Sequence, residues 1–171
     1  NLDKMKEKMK EKSYNGMFNK LCGHNIDYSR WEFDSLVTYL NSHELEKVDL
    51  KAYNIENFNS INDSEIYRIA GTVLGINKNK HLIYLLTTDY SVVNVKFYNK
   101  NTFFHYNSSL DANDNKIDSW CKRGTILMIT GRRNNDLFSA CKPFKSNHLS
   151  HFIIKISKIN NDGKIQTETE K

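Results

Sequence analysis

Four β-prone runs decide the fold: IYRIAGTVLGI (66–76), NKNKHLIYLLT (77–87), SVVNVKFY (91–98) and SWCKRGTILMITGRR (119–133). Their apolar segments are short, and cationic turns separate them. Val93, Val95 and Phe97 alternate with residues of types that commonly face solvent, and this period of two is typical of a half-buried strand. Gly71, inside the first run, indicates a bulge or a sharp bend. The stretch therefore predicts a small, curved β-structure.

The runs and the segments after them predict six strands, placed near 66–76, 81–88, 91–98, 125–132, 136–142 and 151–159. Residues 99–119 are polar and rich in Asp and Asn, so we expect a long excursion there with about one helical turn. Five or six strands with a long insertion after the third match the oligonucleotide/oligosaccharide-binding (OB) fold better than a sandwich. The predicted class is mainly β: an OB barrel of five to six strands with a short α-helical N-terminal appendage.

The chain divides into three predicted regions: a helical segment with a connector over 1–64, the OB domain over 65–160 and a tail over 161–171. Ser29 and Glu32 have the spacing of a capping box at the start of a helix that continues to about Asn41. The connector is Asn-rich, with Tyr53, Ile55 and Phe58 as expected anchors, and the tail is expected to fray from Thr167.

Composition limits the class of protein. The chain has 171 residues, 39% of them hydrophobic, and a net charge of +5, which supports one real core and favours an anionic partner such as nucleic acid. It has no apolar run long enough to cross a membrane, and its first residues do not resemble a signal peptide. Three cysteines without a CxxC pair indicate reduced thiols and a cytoplasmic protein. Because the chain begins at Asn1, we expect a fragment of a longer protein.

Two cationic segments are candidate phosphate contacts. Lys78 and Lys80 lie in the predicted loop after strand one, and Arg132 and Arg133 lie in the presumed loop after strand four. These are the two loops with which OB folds bind oligonucleotides. Basic turns also serve as solvated strand edges, which is the competing interpretation.

Aromatic side chains supply candidate stacking platforms. Lys96 and Tyr98 share the polar face of strand three, and Tyr84 is expected beside them on strand two. Stacking on an aromatic ring contributes about 1–3 kcal/mol per base, although cross-strand packing explains the tyrosines equally well. Phe138 is a weaker candidate of the same kind.

The segment that leads into strand four contains two further cations. Lys122 and Arg123 are either backbone clamps or strand-entry charges. Trp120, directly before them, fits a plug in the barrel better than a stacking platform.

The chain shows no catalytic pattern of its own. Glycine-rich phosphate loops, GxSxG and HExxH are absent from the sequence, and no acidic pair has the spacing of a two-metal site. Cys141, His148 and His151 lack a fourth ligand for zinc. We therefore expect no catalytic residue, no metal and no cofactor in this chain.

Two segments resemble a known family. WEFDSLVTYLNSHEL (31–45) is similar to a helix in the alpha subunit of bacterial and phage family C DNA polymerases (DNA polymerase III alpha), in which a Trp-led start precedes a Tyr-x-x-x-His ending. The stretch from Tyr67 to Tyr98, continued by SWCKRGTILMITGRRNNDLF (119–138), resembles the OB domain that follows this helix in that family, particularly in its phage-type members.

The resemblance implies a C-terminal portion of a replicative polymerase, whose barrel binds single-stranded template and whose palm carboxylates lie upstream. The partners would be single-stranded DNA, the remainder of the polymerase subunit and a sliding clamp. Met17 and Phe18 stand where the family carries a clamp-binding motif, but the Gln of that motif is missing, so we expect them first as core anchors and second as clamp ligands. The chain would then belong to a DNA-directed DNA polymerase without being catalytic itself.

Two other interpretations remain open. An anticodon-binding OB barrel would prefer RNA loops, because such sites read splayed bases and 2′-hydroxyls. A barrel that only docks onto protein would lose no oligonucleotide affinity when Arg132 and Arg133 are replaced by Ala.

Overall fold

The computed structural model describes residues 33–36, 39, 42–110, 115–141 and 152–169. The chain forms two compact units, 1–42 and 43–171. In the first unit, residues 33–36 are helical, as the apolar spacing predicted. The rings of Phe33 and Tyr39 lie 5.3 Å apart. The capping box and the rest of this predicted helix lie outside the described residues.

The second unit is mainly β. It begins with three short 3-10 turns, Glu44–Lys47, Leu50–Tyr53 and Phe58–Ser60. One α-helix, α1, spans Lys100–Asn107 and is longer than the single turn expected. None of the helices in the described residues is long and apolar enough to cross a membrane. The strands are β1 (Ile66–Asn77), β2 (Leu82–Thr87), β3 (Val92–Phe97), β4 (Ile126–Asn134), β5 (Leu137–Ala140), β6 (Ile153–Ile159) and β7 (Ile165–Glu168).

Five strands close into a barrel in the order β1-β2-β3-β5-β4-β1, which confirms the predicted OB fold. The β3–β5 ladder is parallel, whereas the other ladders are antiparallel. The long strand β1 closes the barrel because its first half pairs with β4 and its second half with β2. Gly71 lies at the changeover, where an added Cβ would come within 2.3 Å of the Leu86 carbonyl oxygen. A bulge follows between Val73 and Gly75.

The barrel interior is filled by side chains, and α1 packs at one end of it. Phe103 of α1 is fully buried, with its ring 5.7 Å from that of Phe97. Trp120 is 2% exposed, and its ring lies 5.3 Å from that of Tyr106. The prediction that Trp120 plugs the barrel is thereby confirmed. Other interior residues are Ile69, Val73, Ile83, Leu85, Val93, Val95, Leu127, Ile129, Phe138 and Ile153.

A second apolar cluster lies on the outer side of β1, β4 and β6. Leu45, Val48 and Ile55 of the connector pack there against strand residues such as Ala70 and Met128. The connector therefore belongs to the same compact unit as the barrel.

Strand β7 extends the sheet next to β6 and was not predicted. Thr167 pairs with Ile156, and Glu168 pairs with Lys155, with 3.1 Å from the lysine Nζ to the carboxylate. The prediction of a tail that frays from Thr167 is wrong at these two positions, because each has a strand partner.

Candidate nucleic-acid interface

Outward-facing side chains, four of them polar or charged, form a row across the barrel, perpendicular to its strands. The ladders align Arg132 with Ser139, Ser139 with Lys96, Lys96 with Leu82 and Leu82 with Asn77. We call these five residues the outer row. Because neighbouring strands lie about 4.8 Å apart, the row spans about 19 Å along the surface. It places a guanidinium and an ammonium on one continuous face.

The turn between β1 and β2 adds two cations to one end of the outer row. Lys78 and Lys80 are exposed there, as predicted. The turn is ordered by Asn77, whose Oδ1 accepts a hydrogen bond of 3.0 Å from the Lys80 backbone N–H. Lys96 Nζ also donates to the Lys80 carbonyl. The structure therefore brings Lys78, Lys80 and Lys96 together.

The two predicted stacking tyrosines have different surroundings. Tyr84 is half-buried, and it occupies the row next to the outer row, opposite Gly75 and Asn94. An added Cβ on Gly75 would lie 4.0 Å from Tyr84 Cδ2, so the ring lies beside the bulge of β1. Tyr98, directly after β3, is 71% exposed. Tyr98 thus offers the more accessible ring.

Arg133 turns away from the outer row, which corrects its predicted position. Its Cζ lies 4.5 Å from the centroid of the Phe58 ring. Its Nη1 donates to the carbonyls of Phe58 at 2.9 Å and Ile61 at 3.2 Å, and its Nε donates to the Asn135 carbonyl at 2.9 Å. Successive strand residues point to opposite faces, so Arg132 faces solvent while Arg133 anchors the connector.

The prediction that Phe138 stacks on a base is wrong because its ring is fully buried. It packs edge-on against Phe58, with 6.5 Å between the ring centroids. The turn after β4 consists of Asn135 and Asp136, and both arginines belong to β4 itself. This turn is therefore not cationic.

Lys122 and Arg123 lie in an exposed turn that is not part of the outer row. The neighbouring Gly124 donates a backbone hydrogen bond of 2.8 Å to Val73 of β1. Lys122 also forms an exposed ion pair with Asp118 at 3.4 Å, and pairs of this kind contribute little. The residues proposed for clamp binding, Met17 and Phe18, lie outside the described residues.

The sequence did not indicate Ser139 or Leu82 as surface neighbours of the cations. The parallel pairing of β3 with β5 places Ser139 beside Lys96, and the antiparallel pairing of β2 with β3 places Leu82 there. The alternation in each strand could have identified the outward residues, but no local pattern reveals which strands become neighbours.

These features define an OB barrel with a cationic outer row. The chain is homologous to a DNA-directed DNA polymerase over 83% of its length: it is 34% identical over 165 residues to "Probable DNA polymerase YorL" of Bacillus subtilis (strain 168). It has the same identity and coverage with "DNA-directed DNA polymerase" of Bacillus phage SPbeta. The chain spans 12% of the length of these relatives. No family model matches it, and neither does any solved structure. The homology and the barrel together fit a DNA-binding module of a polymerase.

Proposed function

We propose that this chain is a single-stranded DNA-binding OB module of a replicative polymerase of the DNA polymerase III alpha type, and that it holds template near the active site. The outer row, which joins Arg132 and Lys96 to the turn carrying Lys78 and Lys80, is the observation that carries the proposal. Homology to a polymerase over 83% of the chain supports the same assignment.

The outer row suits a sugar–phosphate backbone that crosses the strands. Its length of about 19 Å accommodates a few nucleotides, and OB folds bind about 4–16 nucleotides each. Arg132 lies at one end of the outer row, Lys96 at its middle, and Lys78 and Lys80 in the turn at the other end. Ser139 and Asn77 lie between these cations and add polar groups that can hydrogen-bond the backbone.

Base stacking supplies the second part of the binding energy. Tyr98 is assigned the main platform because most of its ring is exposed. Tyr84 contributes one exposed face while its other side packs beside Gly75. Stacking tolerates every base, so the module binds with little sequence preference.

The remaining partners follow from the family resemblance. The catalytic palm belongs to another part of the larger cytoplasmic polymerase, and this module packs near it. Met17 and Phe18 are assigned first to core packing and second to a sliding clamp, because the Gln of the family's clamp-binding motif is missing. Lys122 and Arg123 are auxiliary backbone contacts.

The test is the salt dependence of binding to a fluorescein-labelled oligo(dT), followed by fluorescence anisotropy. Each phosphate neutralised on a single strand contributes about −0.7 to the slope of log K against log[salt]. Four cations predict a slope of about −3, and about −4 if Lys122 and Arg123 also bind. Changing Lys78, Lys80 and Arg132 to Gln makes the slope less negative by about 2.

A matched control removes the same charge elsewhere. Lys47, Lys51 and Lys158 are exposed on the connector and β6, and changing them to Gln leaves the slope unchanged to within about one phosphate contact. Failure of the wild-type chain to bind at low salt, or equal slopes for the two triple variants, refutes the proposal. A strong preference for RNA loops would instead favour the anticodon-binding alternative.

A further inference from the structure

A cavity of about 360 Å³ opens at the end of the barrel where β3 and β5 finish and α1 begins. Its volume lies near the lower limit of roughly 300–1,000 Å³ that is usual for small-molecule sites. It suits one planar heterocycle better than a chain of nucleotides. The lining residues are Phe97, Tyr98, Asn99, Thr102, Ala140, Cys141 and Phe152.

The cavity lies directly beside the outer row. Tyr98 follows Lys96 by two residues, and Cys141 follows Ser139 by two residues. Both residues therefore lie beyond the outer row, in the direction in which β3 and β5 run. Two residues advance a strand by about 7 Å. This distance is comparable with the reach from a backbone phosphate to its base. A nucleotide held by Lys96 or Arg132 can therefore direct its base into the cavity.

The described lining residues supply aromatic and polar groups, and none of these seven residues carries a formal charge. Asn99 uses its Oδ1 to cap α1, accepting from Asn101 N at 2.9 Å and Thr102 N at 3.3 Å. Its amide nitrogen, the Thr102 hydroxyl and the Cys141 thiol supply polar groups that can hydrogen-bond a heterocycle. Burial raises the pKa of the Cys141 thiol, so the thiol stays neutral at pH 7.

The described lining residues discriminate between the two parts of a nucleotide. Against these residues a phosphate would lose its hydration without gaining a cationic partner, which is strongly unfavourable. A base is planar and largely apolar on its faces, and it gains contact with the aromatic rings. The cations outside and the uncharged described residues of the cavity thus separate phosphate from base.

We propose that this cavity is a subsite for one unstacked base of the bound single strand, between the Tyr98 side of β3 and the start of α1. The proposal rests on the proposed function, since it requires the backbone to follow the outer row. The subsite goes beyond the proposed function because it assigns one base a position inside a cavity of the protein, rather than on the exposed surface of a stacking tyrosine.

The experiment compares two eight-residue oligonucleotides in anisotropy titrations with the 171-residue chain. One consists of abasic residues only, and the other carries a single 2-aminopurine among abasic residues. The abasic strand measures phosphate binding by itself. Adding one base is expected to increase affinity about 5-fold to 150-fold, the equivalent of about 1–3 kcal/mol for one stacked base, and to change the 2-aminopurine fluorescence.

Variants at the cavity identify where the base binds. Cys141→Phe fills the cavity and abolishes the gain in affinity, whereas Cys141→Ser keeps the volume and retains the gain. Tyr90→Ala also retains it, because Tyr90 is an exposed aromatic residue that does not line the cavity. If Cys141→Phe does not fold, judged by the emission of buried Trp120, Thr102→Trp obstructs the same space from α1.

The outcomes separate this subsite from the proposed function. An equal gain in Cys141→Phe and Cys141→Ser refutes the subsite alone. No gain from the single base in the wild-type chain refutes both the subsite and the stacking on Tyr98. In either case salt-dependent binding of the abasic strand still supports phosphate binding along the outer row. Absence of binding by either oligonucleotide refutes both the subsite and the proposed function.

Discussion

Protonation of His43 is predicted to destabilise the barrel unit in mild acid. His43 is 2% exposed, and its Nδ1 accepts a hydrogen bond of 3.1 Å from Leu45 N. The ring proton therefore lies on Nε2, which is 3.3 Å from the Leu86 carbonyl and 3.3 Å from Thr72 Oγ1. A second proton on Nδ1 would face a donor in a buried environment. Burial accordingly lowers the pKa of His43 to about 4.

The size of the effect follows from linkage. The unfolded chain binds the proton near pH 6.5, whereas the folded chain binds it only near pH 4. The stabilisation from neutral His43 is thus complete above pH 6.5 and is lost as the pH falls through this window. It decreases by about 2 kcal/mol between about pH 7 and pH 5, and by about 3 kcal/mol by about pH 4. This is a substantial part of the roughly 5–15 kcal/mol typical of a domain.

The assay is urea unfolding at a series of pH values, followed by Trp120 fluorescence in a Trp31→Phe background. His43→Gln removes the titration and keeps every carboxylate, so the difference between the two proteins isolates His43. At pH 7 the variant is less stable by about 1–3 kcal/mol, because it disturbs buried hydrogen bonds. The difference shrinks by about 2 kcal/mol at pH 5. If the free energy of unfolding changed with pH in the same way for the two proteins, the assigned role of His43 would be refuted.

Two other substitutions test the packing around the interface. Gly131→Ala places a Cβ 2.3 Å from the Ser139 carbonyl oxygen and 2.7 Å from the Phe138 ring. We therefore expect the free energy of unfolding, measured with urea, to fall by at least about 1–3 kcal/mol. Gly75→Ala, whose Cβ meets Tyr84 at 4.0 Å, is the matched control, and equal stability of the two would contradict the geometry. Arg133→Lys loses the stack on Phe58 and one carbonyl contact, which costs about 1–3 kcal/mol. Unchanged stability of this variant would contradict the anchoring role of Arg133. Weaker oligonucleotide binding at equal folded fraction would show that Arg133 acts in the outer row instead.

The sequence predicted the strands of the barrel because each carries a local signal. The alternation of Val93, Val95 and Phe97 is visible without any knowledge of their neighbours, and all three are buried inside the barrel. The same alternation separates Arg132 from Arg133, since adjacent strand residues cannot both face solvent on one side of a barrel. The sequence pattern placed both arginines in a loop, where this rule does not apply.

Features that depend on distant pairing had no local signal. The outer row requires β5 to insert between β3 and β4, which the ladders establish. The cavity requires α1 to begin beside the end of β5. Strand β7 reads IQTE and carries no apolar alternation of the usual length, so only its pairing with β6 reveals it.

The position of the interface follows from how the barrel uses its surfaces. Its interior is filled by buried side chains such as Leu127 and Ile129, as expected for a barrel of few strands. A ligand is therefore confined to the outer surface and to the cavity at the end of the barrel. The outer side of β1, β4 and β6 is covered by the connector through the second apolar cluster. Among the described residues, the remaining outer surface carries the outer row, with Asn77 at the end of β1 and Arg132 on β4, together with exposed Val92 and Tyr98. We therefore expect a ligand that binds the strands of this barrel to lie across the outer row.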